Sequence, residues 1–217
     1  MEEPTIDRSD PDLPPGQHAV TDFPVVSTEP PPRLPRDAWT LTLTGVNGSE
    51  CRWDWVAFRA LPAETFCVDL HSVAGWSKIA TNWRGVPLRE FLAGVSTVAE
   101  YAHIFTWGSY TTNVPLEDLV EMPTWIAFDY EGAPIPPEHG GPARLLIPHL
   151  YLWKSAKWVR RIALSNRDRP GTRERDRLHS YGDPWREQRY RDHAVRPTDR
   201  PAATTGRPSI MTERARS

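Results

Sequence analysis

Apolar and polar residues alternate along several short stretches of the chain, which predicts β-strands. The clearest alternation runs over residues 64–71, where Phe66, Val68 and Leu70 are separated by other residues. This strand continues into a turn of small residues from Ser72 to Gly75, so we expect it to deliver side chains to a site at its end. Further strands are predicted at about 39–44, 101–107, 125–130, 144–148 and 157–164.

Helical patterns are short and are interrupted by proline or glycine. Helices are predicted at about 53–60, 87–93 and 116–120, and residues 108–113 are predicted to form a polar loop. The strands are scattered along the chain and do not alternate with helices as regular βαβ units. The pattern therefore favours a mixed α+β fold.

Composition supports one folded domain with two extended ends. The chain has 217 residues, 39% of them hydrophobic, which is enough for one sizeable core. Residues 1–22 are rich in proline and acidic residues, and apolar content falls again near the C-terminus. We predict a disordered N-terminal arm at 1–22, a folded domain at 23–190 and a disordered tail at 191–217.

Charge and hydropathy exclude several classes of partner. The net charge of −2 gives no reason to expect nucleic acid, and no run of 18 apolar residues predicts membrane insertion. The acidic N-terminus lacks the features of a signal peptide, so we predict a cytoplasmic protein. Two cysteines, Cys51 and Cys67, form neither a disulfide framework nor a zinc motif.

The distribution of lysine is unusual. The chain contains 23 arginines and only three lysines, Lys78, Lys154 and Lys157, which fall in two short segments. Where arginine is so strongly favoured, a retained lysine suggests a place for a compact point charge, although chance survival is an open alternative.

Five segments follow one another in the chain: residues 70–78, 83–86, 110–113, 137–144 and 148–158. Together they resemble the molybdopterin-binding domain of sulfite-oxidase-like oxidoreductases, in particular its short single-domain bacterial members. The likeness extends from about Pro14 to Tyr190. It implies a mixed-sheet α+β domain that binds one molybdenum–molybdopterin cofactor, without a haem domain or the C-terminal Ig-like domain of larger relatives.

The position of the metal ligand departs from that family. Its members bind molybdenum through a cysteine thiolate directly after the histidine of the central stretch, and here that position is Ser72. Cys67 does not replace it, because five residues of strand separate the two by about 16 Å and the side chains face opposite sides. Three readings stay open: Ser72 binds the metal as an alkoxide, the metal has no protein ligand, or redox chemistry is lost. The serine is either natural or an engineered change.

The resemblance also implies the other site residues. Arg144 and residues 155–157 match positions that hold the pterin phosphate, which needs charge-assisted donors and backbone N–H groups. Each of these assignments has a structural alternative. The histidines would then belong to the core, Arg144 and Lys157 would be a strand arginine and a lysine that extends to solvent, and the remaining charged residues would be solvated at the surface. The core and pocket walls are expected to contain Trp76, Trp83, Trp153 and Trp158. Lys78 is expected near the substrate, together with the substrate-side residues. The predicted metal ligand is Ser72, the catalytic residues are Ser72, Arg84 and His179, and the cofactor-binding residues are His71, Thr106, Trp107, His139, Arg144, Ser155, Ala156 and Lys157.

The function implied by the resemblance is oxygen-atom transfer on a small anionic or S-oxide substrate, such as sulfite. No haem motif is present, so electrons are expected to pass to a separate, unidentified electron-transfer partner. A monomer is expected, because the dimerising domain of larger relatives is missing. Two alternatives remain: a pterin carrier or store that is catalytically impaired by Ser72, and a structural relative that binds no cofactor. The second is disfavoured by lysines expected at the phosphate and pterin.

Overall fold

The computed structural model of the chain describes residues 12–93 and 98–191. In this part of the chain the α-helices are four to six residues long, and strands dominate. The strands are β1 (His18–Ala19), β2 (Thr40–Thr44), β3 (Glu50–Asp54), β4 (Glu64–His71), β5 (Trp76–Pro87), β6 (Tyr101–Thr106), β7 (Thr111–Pro115), β8 (Trp125–Tyr130), β9 (Ala133–Pro134), β10 (Arg144–Leu146) and β11 (Val159–Ser165). The helices are α1 (Trp55–Arg59), α2 (Leu88–Leu92), α3 (Leu116–Glu121) and α4 (Thr172–Arg175).

The strands form two sheets. In the six-stranded sheet β5 lies between β1 and β8, β8 also pairs with β10 and β9, and β4 pairs with β5. The five-stranded sheet has the order β3-β2-β11-β6-β7. Most pairs are antiparallel, whereas β1 with β5 and β2 with β11 are parallel. The predicted mixed-sheet α+β class is therefore confirmed.

Strand β8 shows how the core is divided. Ile126 and Phe128 belong to the main core, which both sheets share, whereas Trp125 and Ala127 belong to a second buried cluster. Successive side chains of a strand point to opposite faces, so apolar groups cover both faces of the six-stranded sheet. This explains the continuous apolar run in β8, since a strand buried on both sides lacks alternation.

Two sequence predictions are corrected by the structure. The helix predicted at 53–60 begins only at Trp55, because Trp53 pairs with Leu41 across β3 and β2. The side chain of Asp54 caps the helix by accepting a hydrogen bond from the Ala57 amide at 2.8 Å. The polar loop predicted at 108–113 contains the start of β7, whose polar side chains find partners that are distant in sequence.

The described part of the predicted N-terminal arm, residues 12–22, lies against the domain. β1 pairs with β5 through His18 and Trp76, and the side chain of Gln17 bonds to the backbone of Ser72. These contacts differ from the expectation of disorder over 12–22, because a polar, proline-rich segment can be held by hydrogen bonds without apolar burial. Residues 1–11 of the arm and 192–217 of the tail lie outside the described residues.

Membrane insertion was not expected from the sequence. Within the two described ranges, every helix is too short or too polar to cross a lipid bilayer.

Candidate functional site

The end of β4 carries the turn that was predicted to organise the site. The Ser72 amide donates to the Trp76 carbonyl at 2.8 Å and the Gly75 amide to the Ser72 carbonyl at 3.0 Å, which closes a tight turn between β4 and β5. Gly75 adopts a φ of 91°, a conformation that glycine reaches without strain. The turn buries Ser72, whose Oγ accepts a hydrogen bond from the Ala74 amide at 3.2 Å.

Side chains from both ends of the described chain hold this turn. Gln17 Nε2 donates to the Ser72 carbonyl at 3.0 Å, and its Oε1 accepts a hydrogen bond from Ser77 Oγ at 3.2 Å. On the other side, an Arg189 guanidinium nitrogen donates to the Val73 carbonyl at 2.8 Å. The position of Ser72 is therefore set by hydrogen bonds to its backbone, which leaves its side chain at the cavity.

A cavity with about 800 Å³ of non-atom space, counting solvent at its opening, lies beside the turn. Three stretches of the chain supply most of its wall: the segment before β2, the β4–β5 turn, and the loop before β11. The lining residues are Phe23, Pro24, Val26, Ser27, Thr28, Glu29, Ser72, Val73, Trp76, Tyr110, His139, Arg144, Leu152, Trp153, Ser155, Ala156, Lys157, Trp158, Arg173 and Leu178.

Arg144 is a buried cation whose hydrogen-bond partners in the described part of the chain are carbonyl groups. Its side chain donates to the carbonyl groups of His139 and Ser155, each at 2.8 Å, and only 2% of the residue is exposed. No carboxylate of the described residues forms an ion pair with it. Burial lowers the pKa of the guanidinium to about 10. A charge held this way favours an anionic ligand.

Lys157 is the second cation at this corner of the cavity. Its Nζ donates to the carbonyl groups of Val26 at 2.9 Å and Glu138 at 2.6 Å. Burial, and next the charge of Arg144, lower the pKa of Lys157 to about 8. Gly140 is required beside the two cations, because a Cβ there would lie 3.0 Å from the Cβ atoms of both. Two adjacent cations whose hydrogen-bond partners among the described residues are carbonyl groups have the charge needed to bind a multiply charged anion.

His139 lies next to the two cations. Its ring stacks on Phe23 with the ring centroids 4.2 Å apart, and its buried Nδ1 has no hydrogen-bond partner among the described residues. Burial, followed by the charges of Arg144 and Lys157, lowers the pKa of the imidazole. A neutral histidine with a free nitrogen can hydrogen-bond to a ligand in the cavity.

Trp153 and Tyr110 form a wall further along the cavity, near Arg173. Tyr110 Oη donates to the Trp153 carbonyl at 2.5 Å, and burial raises the pKa of the phenol well above its usual value. None of the described residues accepts a hydrogen bond or forms an ion pair with the Arg173 guanidinium. Arg173 therefore places an uncompensated positive charge in the cavity wall.

Lys154, three residues before Lys157, has different surroundings. Its Nζ is 2.6 Å from Glu174 Oε1, both side chains are buried, and it also donates to the carbonyl groups of Asn113 and Ser180. Lys154 does not line the cavity, and neither does Lys78, which is half-buried and donates to the Thr21 carbonyl at 2.8 Å. The expectation that the lysines cluster at a ligand is thus corrected: of the three, only Lys157 reaches the cavity.

The structure brings six of the predicted site residues together in the cavity wall: Ser72, His139, Arg144, Ser155, Ala156 and Lys157. Three others lie behind the wall. His71 Nδ1 is 2.8 Å from Ser77 Oγ, Thr106 Oγ1 donates to the Tyr110 carbonyl, and the Trp107 amide donates to the Trp158 carbonyl. Burial lowers the pKa of His71, which favours its neutral form. Of the four tryptophans expected in the core and pocket walls, Trp83 is buried in the core and the others line the cavity.

Arg84 and His179, predicted as catalytic, are not brought to the cavity. Arg84 is exposed on β5 beside Phe128, because alternation along the strand turns it away from the buried Trp83. His179 Nδ1 accepts hydrogen bonds from the amides of Tyr181 and Gly182. Cys67 does not line the cavity either.

Phe23, Glu29 and Arg173 are among the cavity residues that were missed by reading the sequence. Phe23 and Glu29 precede the recognisable motifs and lie beside a proline cluster, and Arg173 lies in a stretch dense in arginine. No local signal distinguishes them, because they reach the cavity only through the tertiary fold.

Comparisons with known proteins identify the family of the chain. Residues 28–173 match the family described as the oxidoreductase molybdopterin binding domain. The uncharacterized oxidoreductase YuiH of Bacillus subtilis (strain 168) is 36% identical over 181 residues, covering 82% of this chain and 91% of that protein. The catalytic subunit MsrP of a protein-methionine-sulfoxide reductase from Gluconobacter oxydans (strain 621H) is 26% identical over 165 residues, covering 66% of this chain and 52% of MsrP.

Among solved structures, the sulfane dehydrogenase SoxCD from Paracoccus pantotrophus matches with a TM-score of 0.58 and 19% identity. The match covers 68% of this chain and 42% of that one, and it shows a shared fold. This chain thus spans most of YuiH but about half of MsrP.

Proposed function

Since this chain belongs to the family of molybdopterin-binding, sulfite-oxidase-like oxidoreductases, whose members bind a molybdenum–molybdopterin cofactor, we propose that it catalyses oxygen-atom transfer on a small sulfur-containing substrate. The observation that carries the cofactor-binding part of the proposal is Arg144, a buried guanidinium that has no acidic partner among the described residues and lies in a cavity wall. A buried charge of this kind is costly unless an anion neutralises it.

The corner formed by Arg144, Lys157 and His139 fits the phosphate end of the pterin. The two cations match a dianionic phosphate in charge, and Gly140 leaves room where a larger residue would collide with them. The free Nδ1 of His139 can donate to or accept from the ligand. These residues would therefore hold the phosphate and the adjoining part of the pterin.

The metal end of the cofactor would lie toward Ser72. In the described ranges, no group of three or more His, Cys, Asp or Glu side chains is placed to hold a metal ion. A metal chelated by sulfur atoms of the cofactor needs no such group, and Ser72 would be the ligand that the chain adds. When bound, the molybdenum centre supplies two-electron oxygen-atom transfer, and a Ser72 alkoxide, as a harder donor than a thiolate, would favour the oxidised metal.

Arg173 is the group that we assign to substrate binding. Its guanidinium has no hydrogen-bond acceptor among the described residues, and it shares the cavity with Ser72. A guanidinium binds the oxygen atoms of sulfite or of an S-oxide through charge-assisted hydrogen bonds. Trp153 and Leu178 beside it can contact an apolar substituent on sulfur.

The overall reaction needs a separate electron carrier. Oxidation of sulfite to sulfate takes its oxygen from water and releases two protons and two electrons, and reduction of an S-oxide consumes two protons and two electrons and releases water. The names of MsrP and SoxCD place those two proteins in sulfur chemistry, which supports a sulfur-containing substrate here. A monomeric, cytoplasmic enzyme stays a prediction from the sequence.

Ser72 specifically favours a second candidate, a pterin carrier or store without turnover. The phosphate corner serves both functions, so it does not distinguish them. The serine does, because the family's metal ligand is a thiolate and Ser72 offers only a hydroxyl.

The two functions are separated by cofactor content and turnover. Wild type, Ser72→Ala and Ser72→Cys are produced in a host that makes the cofactor, and molybdenum is measured by mass spectrometry and pterin by fluorescence after oxidation. Methionine sulfoxide with a reduced viologen dye, and sulfite with ferricyanide, test the two directions. We expect near-stoichiometric molybdenum and measurable turnover in the wild type. In Ser72→Ala we expect molybdenum content and turnover to fall by at least about tenfold.

Pterin without molybdenum or turnover in the wild type would instead establish the carrier. If Ser72→Cys alone binds molybdenum and turns over, the wild-type chain has lost the family's activity. A wild type without any pterin contradicts both functions.

A further inference from the structure

Residues 23–29 form an irregular segment along the cavity, which we call the strap. All of its residues except Val25 line the cavity, and the structure assigns it neither helix nor strand. The strap also contacts solvent, since Val25 is 55% and Val26 51% exposed. The strap thus separates part of the cavity from solvent. The family match begins at residue 28, so most of the strap precedes it.

Phe23 anchors one end of the strap. Its ring stacks on His139 and packs edge-on against Trp76 and Trp83, with centroids 6.3 and 6.2 Å away. Aromatic contacts of this kind stabilise a segment without backbone pairing.

The middle of the strap contacts the phosphate corner. The Val26 carbonyl accepts a hydrogen bond from Lys157 Nζ at 2.9 Å, and the Glu138 carbonyl accepts a second at 2.6 Å. An ammonium group has three N–H bonds. The strap therefore fixes the direction of Lys157 and leaves one N–H for a ligand in the cavity.

Glu29 fastens the other end. Its carboxylate accepts hydrogen bonds from the Ser109 amide at 2.9 Å, from Ser109 Oγ at 2.9 Å and from the Tyr110 amide at 3.4 Å. Gly108 permits this approach, because a Cβ at that position would lie 1.9 Å from Glu29 Oε1. Charge-assisted bonds to backbone amides are about twice as strong as neutral ones.

We propose that the strap closes over the bound cofactor and that Glu29 is the positioning residue that keeps it closed. This inference rests on the proposed function, because the occupant of the cavity is the pterin. Entry and release of a ligand at the phosphate corner require the Val26 carbonyl and its neighbours to move. That movement separates the Glu29 carboxylate from the amides of Ser109 and Tyr110. Glu29 thereby sets how often the cavity opens, although it lies outside the phosphate corner itself.

Two measurements on one pair of variants test the strap. Glu29→Gln removes the charge and keeps the size. Glu131→Gln is the matched control, because the Glu131 carboxylate also accepts a backbone amide bond, from Asn82 at 2.9 Å, but does not line the cavity. Hydrogen exchange at the amides of Ser109 and Tyr110 is measured in cofactor-free protein, and pterin release is measured in loaded protein by fluorescence of the oxidised filtrate.

In Glu29→Gln we expect hydrogen exchange at both amides and pterin release to accelerate about tenfold. A rate change of this size is expected when a charged hydrogen bond is replaced by a weaker neutral one. Glu131→Gln is expected to match the wild type in both. Phe23→Ala, which frees the opposite end, should also accelerate release while exchange at Ser109 changes less.

Equal release rates for wild type and Glu29→Gln, with pterin present in both, would overturn the role of the strap alone. Faster exchange without faster release overturns it as well. A wild type that contains no pterin would contradict the proposed function. It would then also contradict the strap's role, because that role depends on the proposed function.

Discussion

Lys154 and Lys157 lie three residues apart on one loop and meet opposite electrostatic surroundings. Lys154 is fully buried and ion-paired with Glu174 at 2.6 Å. Lys157 donates only to backbone carbonyl groups and experiences the repulsive charge of Arg144. The difference shows which positive charge is available to a ligand. Glu174 neutralises Lys154, whereas the charge of Lys157 remains available.

The compensated lysine supports the fold by joining separate elements. Glu174 lies on α4 and also accepts hydrogen bonds from Thr112 of β7 and from the Trp153 indole. Lys154 also donates hydrogen bonds to the carbonyl groups of Asn113 and Ser180. The pair therefore ties the loop that precedes β11 to α4 and β7, and so fixes the direction in which the loop enters the cavity.

The largest effect is expected from Lys154→Met. The substitution leaves the Glu174 carboxylate buried and unpaired, which costs about 3–5 kcal/mol in the free energy of unfolding. Urea denaturation of cofactor-free protein measures this loss. The double variant Lys154→Met/Glu174→Gln should lose less than the two single variants together, because neither charge is then left alone. A Lys154→Met protein as stable as the wild type would show that the pair does not stabilise the fold.

The second prediction concerns Lys157→Met, which removes the lysine that forms no ion pair with the described residues. We expect the free energy of unfolding to change by less than about 1 kcal/mol, because no carboxylate loses its partner. Pterin retention should fall about tenfold or more, since a charged hydrogen bond to phosphate is removed. Retention is measured as pterin per protein after extended dialysis. Lys78→Met, which changes a half-buried lysine outside the cavity, serves as the control and should retain pterin as the wild type does. Equal retention in both variants would contradict a ligand role for Lys157.

The smallest effect is a pH dependence. The pKa of Lys157 is lowered to about 8 in the folded chain from a usual value of 10.5. Between these values the unfolded chain binds a proton that the folded chain has lost, so the wild type gains stability with rising pH relative to Lys157→Met. Binding of a phosphate has the opposite dependence, because it needs the charged lysine and weakens above pH 8. Denaturation and pterin retention at pH 7, 8 and 9.5 measure the two trends, and parallel curves for wild type and variant would contradict both.

Local pattern was sufficient for much of the fold. The strand predicted at 64–71 coincides with β4, because Phe66, Val68 and Leu70 all enter one apolar cluster and impose their alternation. The polar loop predicted at 108–113 was wrong over β7, where Thr112 and Asn113 are buried. Their partners, Glu174 and Asp168, lie far along the sequence, and no local pattern contains them.

The same limit applies to the site. Arg144 and Lys157 were found through the family motif, and the structure adds that neither has an acidic partner among the described residues. Arg84 was expected at the cavity but is an exposed residue of β5 that does not line it, which the motif alone does not encode. Arg173 and Glu29 were missed because tertiary contacts alone bring them to the cavity.

The hydrogen bonds that hold the Ser72 turn have a consequence for biosynthesis. Gln17 bonds to a residue of the turn 55 positions later in the chain, and Arg189 bonds to one 116 positions earlier. Contacts between such distant positions close late, because the loop between them must first be ordered. The turn therefore reaches its final geometry only after Arg189 has been synthesised and has left the ribosome, and we expect insertion of a cofactor at Ser72 to follow that step. Proteolysis of ribosome-bound chains that end before and after Arg189 would show when the turn becomes protected.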